Sequence, residues 1–188
     1  LRSGLLKRWM AVCTTLLSMT GHAGGHALDG LDERFDSAHR DIVRGPLRLT
    51  QAQCEAQRHA VWVALTVNRP GQPPRQVDGC IRYFPSPQVA PGQPVLFFFH
   101  GDRVEPGGLA DGSWRQQMAQ AQRIEQRSGM PTISVARPGV YGSTVLNHRY
   151  QRRTHEEVAV ASAAIDQIKA RHGFDRISLA GQSGGGHL

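Results

Sequence analysis

The sequence is poor in lysine and cysteine, and each shortage excludes a class of protein. Lys7 and Lys169 are the only lysines, so the net charge of +7 comes mainly from arginine, and no basic stripe is interleaved with aromatic residues. We therefore expect no nucleic-acid partner. The three cysteines have no metal-ligand spacing, and the patterns His-Glu-x-x-His and Gly-x-x-x-x-Gly-Lys-[Ser/Thr] are absent. We accordingly expect no metal, no nucleotide site and no cofactor.

Long apolar runs are also missing, which argues against a membrane span. No segment approaches the ~20 apolar residues that a spanning helix requires. Residues 1–27 instead have the pattern of a signal peptide, with basic residues before an apolar stretch and small-residue cleavage motifs that end at Ala23 and Ala27. We expect an exported protein, periplasmic or secreted. The alternative is that residues 1–27 remain as an N-terminal helix.

Export changes the interpretation of the cysteines. Removal of the signal peptide with Cys13 leaves Cys54 and Cys80, an even pair in an oxidising compartment. A disulfide between them would close a span of about 26 residues and stabilise the fold by about 3 to 4 kcal/mol in the chain-entropy model. Two buried free thiols are the alternative.

The residues after the signal predict an α/β fold: an N-terminal β-hairpin leads into a mostly parallel sheet with flanking helices. Residues 28–60 form an extension with one short helix at most, and the hairpin strands lie at 61–67 and 76–84. Val95–Phe99 is an unbroken apolar run, typical of a parallel strand buried on both faces. Helices and strands alternate from there to the end of a single domain, 61–188.

The sequence predicts the buried faces and the ends of two helices. The first spans residues 113–128, and its spacing predicts a core-facing stripe of Trp114, Met118, Ala121 and Ile124 or Glu125. The second spans residues 154–172, between a strand at 132–136 and one at 174–180, and Gly173 ends it. Its first turn predicts a capping box of Thr154 and Glu157, and its predicted buried face is Val158, Ala161, Ile165 and Ile168.

The motif Gly181-Gln182-Ser183-Gly184-Gly185 follows the last predicted strand directly. Gly-x-Ser-x-Gly at the end of an apolar strand is the pattern of a nucleophile elbow, a tight strand-to-helix turn that exposes the serine hydroxyl above the sheet. Gly181 and Gly185 give the turn room where a Cβ would collide with neighbouring backbone. A helix that begins at Gly184 or Gly185 would point its N–H groups at Ser183.

Two upstream motifs follow strands in the same way. His100-Gly101-Asp102 comes after Val95–Phe99, and Arg137-Pro138-Gly139-Val140-Tyr141-Gly142-Ser143 comes after the strand at 132–136. With the elbow, in this order, they resemble the α/β-hydrolase superfamily over Val61 to Leu188.

The resemblance implies a serine hydrolase that acts by acyl transfer on a small ester or peptide. Ser183 would attack the carbonyl, and the backbone N–H groups of Asp102 and Gly184 would hold the oxyanion. His100 and Gly101 would shape the oxyanion loop rather than act as a base. The oligomeric state stays open.

The sequence departs from the family after the serine. The family places an acid and then a histidine later in the chain, whereas five residues follow Ser183 here. His187 lies four residues past Ser183 on the same short helix, a poor position for proton transfer. We expect a fragment whose missing part carries the acid and the base, with an unpaired edge on its last strand and no esterase turnover by itself.

The alternative to an enzyme is a non-catalytic binding module that keeps the same fold.

An arginine cluster lies between the last two predicted strands. Arg149, Arg152 and Arg153 are predicted to form a solvated loop, with contact to an acidic substrate group as the alternative.

Overall fold

The computed structural model describes residues 48–102, 104–105, 108–109 and 114–188. The predicted signal peptide and most of the predicted extension lie outside this part of the chain. The strands are β1 Ala60–Val67, β2 Arg75–Pro85, β3 Val95–Phe99, β4 Val104–Glu105, β5 Gly108–Leu109, β6 Thr132–Val135 and β7 Ile177–Gly181. The helices are α1 Gln51–Glu55, α2 Trp114–Ser128, α3 His148–Gln151 and α4 His155–His172, and a 3-10 helix spans Ser183–His187.

A mixed five-stranded sheet in the order β1-β2-β6-β3-β7 forms the centre of the fold. The predicted hairpin is confirmed, since β1 and β2 pair antiparallel with Ala60 opposite Arg82. β2 continues antiparallel to β6, and β3 lies parallel to both β6 and β7. The apolar run Val95–Phe99 therefore has a parallel neighbour on each side, as its composition predicted.

The last strand of the sheet, β7, has one paired and one open edge. β7 pairs with β3, and no described strand pairs with its other side. Leu179 on β7 is 63% exposed, although large aliphatic side chains are usually buried. Together with Val158, Ile165 and Leu188 it lines an apolar groove of about 330 Å³.

Helices cover both faces of the sheet, because successive residues of a strand point to opposite sides. Tyr83 and Phe84 show this on β2: Tyr83 belongs to the core cluster that α4 closes, and Phe84 to a second cluster against which Trp114 of α2 packs. Both side chains are at most 1% exposed. The core therefore lies in two layers, with the sheet between α2 and α4.

The face of α2 that packs on the sheet agrees with the prediction at Trp114, Ala121 and Glu125 and differs from it at Met118. Its buried residues are Gln117, Ala121 and Glu125, whereas Met118 is 38% exposed. Gln117 accepts a hydrogen bond from Ser134 on β6, and Glu125 accepts hydrogen bonds from the hydroxyl of Ser86 and a neighbouring backbone N–H. These partners satisfy the buried polar groups, so the helix is rotated relative to its apolar stripe.

The prediction for α4 also needs correction. Thr154 caps the helix by accepting from the Glu157 N–H, and Gly173 ends it in the left-handed region. The Glu157 carboxylate, however, does not complete the capping box, because it binds Arg137 instead. Val158 is 41% exposed, and the buried face consists of Glu156, Glu157, Val160, Ala161, Ala164 and Ile168.

Cys54 and Cys80 form the disulfide that the sequence favoured. Both side chains are fully buried beside Ala60, where the bond ties α1 to β2. Among the helices described, none is long and apolar enough to cross a membrane.

Candidate active site

Ser183 occupies a strained turn directly after β7. Its φ of 49° lies in the left-handed region, which a residue with a Cβ rarely adopts, and such outliers cluster at functional sites. A Cβ on Gly181 would come 2.6 Å from the Gly186 nitrogen, and one on Gly185 would come 2.6 Å from the His100 carbonyl oxygen. The two glycines that the motif singled out are thus the ones that the turn requires. The side chain of Ser183 is exposed.

The loop after β3 packs against this turn. A Cβ on Gly101 would come 2.9 Å from the Gln182 carbonyl oxygen, and the Cβ of Ser183 is 3.1 Å from the same point. Gln182 in turn donates its N–H to the Phe99 carbonyl at 3.0 Å. The predicted oxyanion loop and the predicted elbow therefore meet, because β3 and β7 are parallel neighbours that end at the same edge. The oxyanion roles of the Asp102 and Gly184 N–H groups stay a prediction.

His100 is a buried, neutral part of this loop. Its Nδ1 donates to the Gly101 carbonyl at 3.0 Å, and its Nε2 accepts from the Arg137 N–H at 3.3 Å. Burial lowers the pKa of His100 to about 3, more than its hydrogen bond to Gly101 raises it. Tyr141 covers the ring edge-on, with 4.5 Å between ring centroids. His100 therefore shapes the loop and has no free nitrogen for a substrate.

We expect the protein to lose stability as the pH falls from about 6.5 towards 3. A histidine has an ordinary pKa of about 6.5 in the unfolded chain, so that chain gains a proton in this range while folded His100 stays neutral. The pKa of His59, lowered to about 4 by burial and the charge of Arg58, acts in the same direction. Urea unfolding at pH 7 and pH 4.5 measures the loss.

The variant His100→Asn isolates the contribution of His100. Each proton taken up only by the unfolded chain contributes a slope of about 1.4 kcal/mol per pH unit. We expect the slope below pH 6.5 to decrease by about that amount in the variant. An unchanged slope would show that His100 titrates normally in the folded protein.

A buried ionic network lies directly behind the loop and the elbow. The Arg137 side chain is fully buried, and its Nη1 donates to Asp102 Oδ1 at 2.6 Å. Its Nε and Nη2 bind the two oxygens of Glu157 at 2.8 and 3.1 Å. A Cβ on Gly184 would come 2.6 Å from Asp102 Oδ2 and 2.8 Å from Arg137 Nη1. One guanidinium thus joins the oxyanion loop, the elbow and the first turn of α4.

A histidine and two further arginines approach the Asp102 carboxylate. His148 Nε2 lies 3.2 Å from Asp102 Oδ1, and Arg153 Nη2 lies 3.0 Å from Asp102 Oδ2, with Arg152 at 3.6 Å. Arg152 and Arg153 lie in a solvent-accessible turn, as predicted, and both also reach the Asp102 carboxylate, a contact that the sequence did not predict. The side chain of Arg149 lies outside the described part.

The charges of this network oppose the effect of burial on Asp102. Burial alone would raise the pKa of Asp102, but attraction to Arg137 and His148 outweighs it, so the pKa lies below its usual value. For His148, burial and the charge of Arg137 lower the pKa against the attraction of Glu157 and Asp102. Its two nitrogens nevertheless face the Pro138 carbonyl and Asp102, an arrangement that suits a doubly protonated ring. Asp102 is therefore an anion that the site holds in place.

Sequence reasoning missed the roles of His148 and Glu157. Arg137 follows β6 in the segment Arg137 to Ser143, and Glu157 fits a capping box, but neither pattern reveals that the two side chains meet. A buried arginine needs carboxylate partners, and Glu157 is one of few candidates in the α/β region. His187 is not placed to act as a base for Ser183. Its Nδ1 lies 3.3 Å from the Ser183 carbonyl oxygen rather than beside the hydroxyl, and the residue is exposed.

A polar groove of about 490 Å³ opens beside Ser183. Its floor is formed by the oxyanion loop and by Tyr141, and one wall is the N-terminal half of α2. Within the described residues, no group of three or more acidic, histidine or cysteine side chains is arranged to hold a metal ion. The arrangement offers an exposed, strained serine in a groove that a small molecule fits.

Sequence comparison identifies no relative: no protein-family model matches the chain, and no curated protein does. Solved structures do show similarity. An α/β serine hydrolase without a lid from Xanthomonas campestris is 18% identical, with a TM-score of 0.37 over 66% of this chain and 51% of its own.

Two esterases are also similar. A hyperthermophilic esterase from the archaeon Pyrobaculum calidifontis is 15% identical, with a TM-score of 0.36 over 84% of this chain and 44% of its own. Brefeldin A esterase, a bacterial homologue of human hormone-sensitive lipase, is 13% identical, with a TM-score of 0.32 over 86% of this chain and 42% of its own. The chain spans about half the length of these proteins or less, and over that part it is similar to α/β serine hydrolases and esterases.

Proposed function

We propose that this chain is the nucleophile-bearing part of a serine hydrolase of the α/β-hydrolase type that acts on small esters. The observation that carries the proposal is the backbone of Ser183, a non-glycine residue at positive φ between two glycines whose neighbours leave no room for a Cβ. A turn of this kind is costly, by about 1 to 3 kcal/mol, and presents the serine to the groove.

The reaction would proceed by acyl transfer. Ser183 Oγ attacks the ester carbonyl, its proton passes to a base, and the carbonyl oxygen becomes an oxyanion. The N–H groups of Asp102 and Gly184 are the donors that we assign to it, each worth roughly 3 kcal/mol of barrier. The C–O bond then breaks, the base returns the proton to the leaving oxygen so that a neutral alcohol departs, and water hydrolyses the acyl-serine by the same path.

Neither of the two histidines beside the elbow, His100 and His187, is placed to act as the base. His100 has both nitrogens engaged and a pKa of about 3, so it carries no proton away at neutral pH. His187 contacts the Ser183 carbonyl rather than its hydroxyl. We infer that a histidine and its acid partner in another segment of the protein complete the site, as the open edge of β7 also suggests.

Export is part of the proposal. The disulfide between Cys54 and Cys80 persists in oxidising compartments, which agrees with the signal-like residues 1–27.

Peptide substrates remain the second choice. A small ester is the first choice, because the groove beside Ser183 has a volume of about 490 Å³, within the range of small-molecule sites.

The direct test is turnover of 4-nitrophenyl butyrate by the full-length protein. We expect Ser183→Ala to reduce the rate to background, because the nucleophile is removed. Ser178→Ala is the matched control, since Ser178 is an exposed serine on β7, the strand that leads into the turn. Equal turnover by both variants would reject Ser183 as the nucleophile, and no turnover by the unaltered protein would favour a binding module.

A further inference from the structure

The wall of the groove that α2 provides is a single stripe of the helix. Its lining residues there are Arg115, Gln116, Gln117, Ala119, Gln120 and Arg123. At about 100° per residue all of them except the buried Gln117 share one face, and the two arginines lie eight residues apart, about 12 Å along the axis. Cations therefore stand at both ends of a polar stripe that faces Ser183.

The groove carries an excess of positive charge. Among the described residues, neither Arg115 nor Arg123 lies within salt-bridge distance of a carboxylate, and Arg115 instead rests on the Trp114 ring, 4.8 Å from its centroid. Asp102 is the acidic residue of the lining, but Arg137 and His148 hold one of its oxygens and Arg153 the other. Its charge is thus compensated before a ligand arrives.

We propose that the substrate carries a second acidic group, a carboxylate or a phosphate-like oxyanion, which Arg115 and Arg123 bind while Ser183 attacks the ester. This inference rests on the proposed hydrolase function and names its substrate class. Arginine suits the role because its planar fork of donors matches the oxygens of either anion. Gln116 and Gln120, between the two arginines, line the path with amides that hydrogen-bond a polar linker.

The experiment measures the turnover of three 4-nitrophenyl esters by the full-length protein. The acyl group is butyrate, which is neutral, glutarate, which ends in a carboxylate, or 4-phosphonobutyrate, which ends in a phosphonate. We expect kcat/KM to be at least about ten-fold higher for one or both anionic esters, mostly through a lower KM, because hydrogen bonds to charged groups contribute more than neutral ones. The anion that gains more identifies the natural group.

Variants of α2 link the preference to the two arginines. Arg115→Ala and Arg123→Ala should each reduce kcat/KM for the preferred anionic ester several-fold, and the double variant should remove the preference for anionic over neutral esters. Arg127→Ala is the matched control, an exposed arginine on the same helix that does not line the groove. It should leave the ratio of anionic to neutral turnover unchanged.

A binding measurement separates failure of this inference from failure of the hydrolase proposal. Glutarate and inorganic phosphate are titrated against the Ser183→Ala protein, in which chemistry is absent. Saturable binding that is lost in the Arg115→Ala, Arg123→Ala double variant supports the anion site even without turnover. Turnover with equal preference for all three esters overturns the inference but not the hydrolase. The absence of both anion binding and anion preference also overturns it.

Discussion

Gly185→Ala is expected to lower the reactivity of Ser183 by about a hundred-fold or more. An added Cβ would lie 2.6 Å from the His100 carbonyl oxygen and closer still to that of Phe99, far inside van der Waals contact. Because both neighbours are backbone atoms, the turn and the oxyanion loop must separate. A displacement of about 1 Å at a catalytic group costs about a hundred-fold in rate. Turnover of 4-nitrophenyl butyrate by the full-length protein measures the effect.

Gly186→Ala is the matched control for this experiment. Its Cβ would lie 3.5 Å from the Gly181 carbonyl oxygen, an ordinary contact, and the residue is one position further along the same 3-10 helix. We expect its turnover to stay within a few-fold of the unaltered protein. Equal effects of the two substitutions would show that the helix, rather than the close approach at residue 185, limits the site.

Arg137→Met is the substitution with the largest expected effect on stability. It leaves the carboxylates of Asp102 and Glu157 without their shared cation, and removing one partner of a buried ion pair costs about 3 to 5 kcal/mol. Urea unfolding at pH 7 gives the change in the free energy of unfolding. Arg127→Met, on the exposed side of α2, should change it by less than about 0.5 kcal/mol.

A second variant tests whether geometry or charge matters at residue 137. Arg137→Lys keeps the charge but cannot bind Glu157 through two nitrogens and Asp102 through a third. We expect it to lose part of the stability and to move the Asp102 loop. A loss below about 1 kcal/mol in Arg137→Met would contradict the account of this network as the support of the site.

Local sequence features were sufficient to predict the five strands of the main sheet and the turn after β7, but not β4, β5 or α3. The β-branched and apolar composition of β1 and β3 marked them as strands, and Gly-x-Ser-x-Gly placed the turn after β7. Parallel pairing of β3 with β7 then brought Gly101 to Ser183. These features depend on short stretches of chain, where composition and spacing carry most of the information.

The faces of the two long helices were harder to predict, because hydrophobicity alone did not determine them. Met118 and Val158 were expected inside and are partly exposed, whereas Gln117 was not expected inside and is buried; Gln117 and Glu125 have hydrogen-bond partners from β6 and from the residues after β2. Their partners lie 17 and 39 residues away in sequence. The spacing of hydrophobic residues along a helix carries no information about such long-range polar contacts.

The ionic network had the weakest signal in the sequence. Glu157 satisfies a local capping pattern, yet its carboxylate binds Arg137, 20 residues earlier, and Asp102 lies 35 residues before Arg137. Three loops must fold before these side chains meet. Charged residues are usually exposed, so sequence alone favoured the solvated interpretation for the neighbouring Arg152 and Arg153.

The nucleophilic role of Ser183 is tested most directly by covalent labelling with a fluorophosphonate probe and mapping of the modified peptide by mass spectrometry. In the full-length protein, phosphonylation is expected on Ser183 and is lost in Ser183→Ala, while Ser178→Ala is labelled as strongly as the unaltered protein. Labelling at another residue, or no labelling of a protein that is folded, would contradict the proposal that this strained turn carries a catalytic nucleophile.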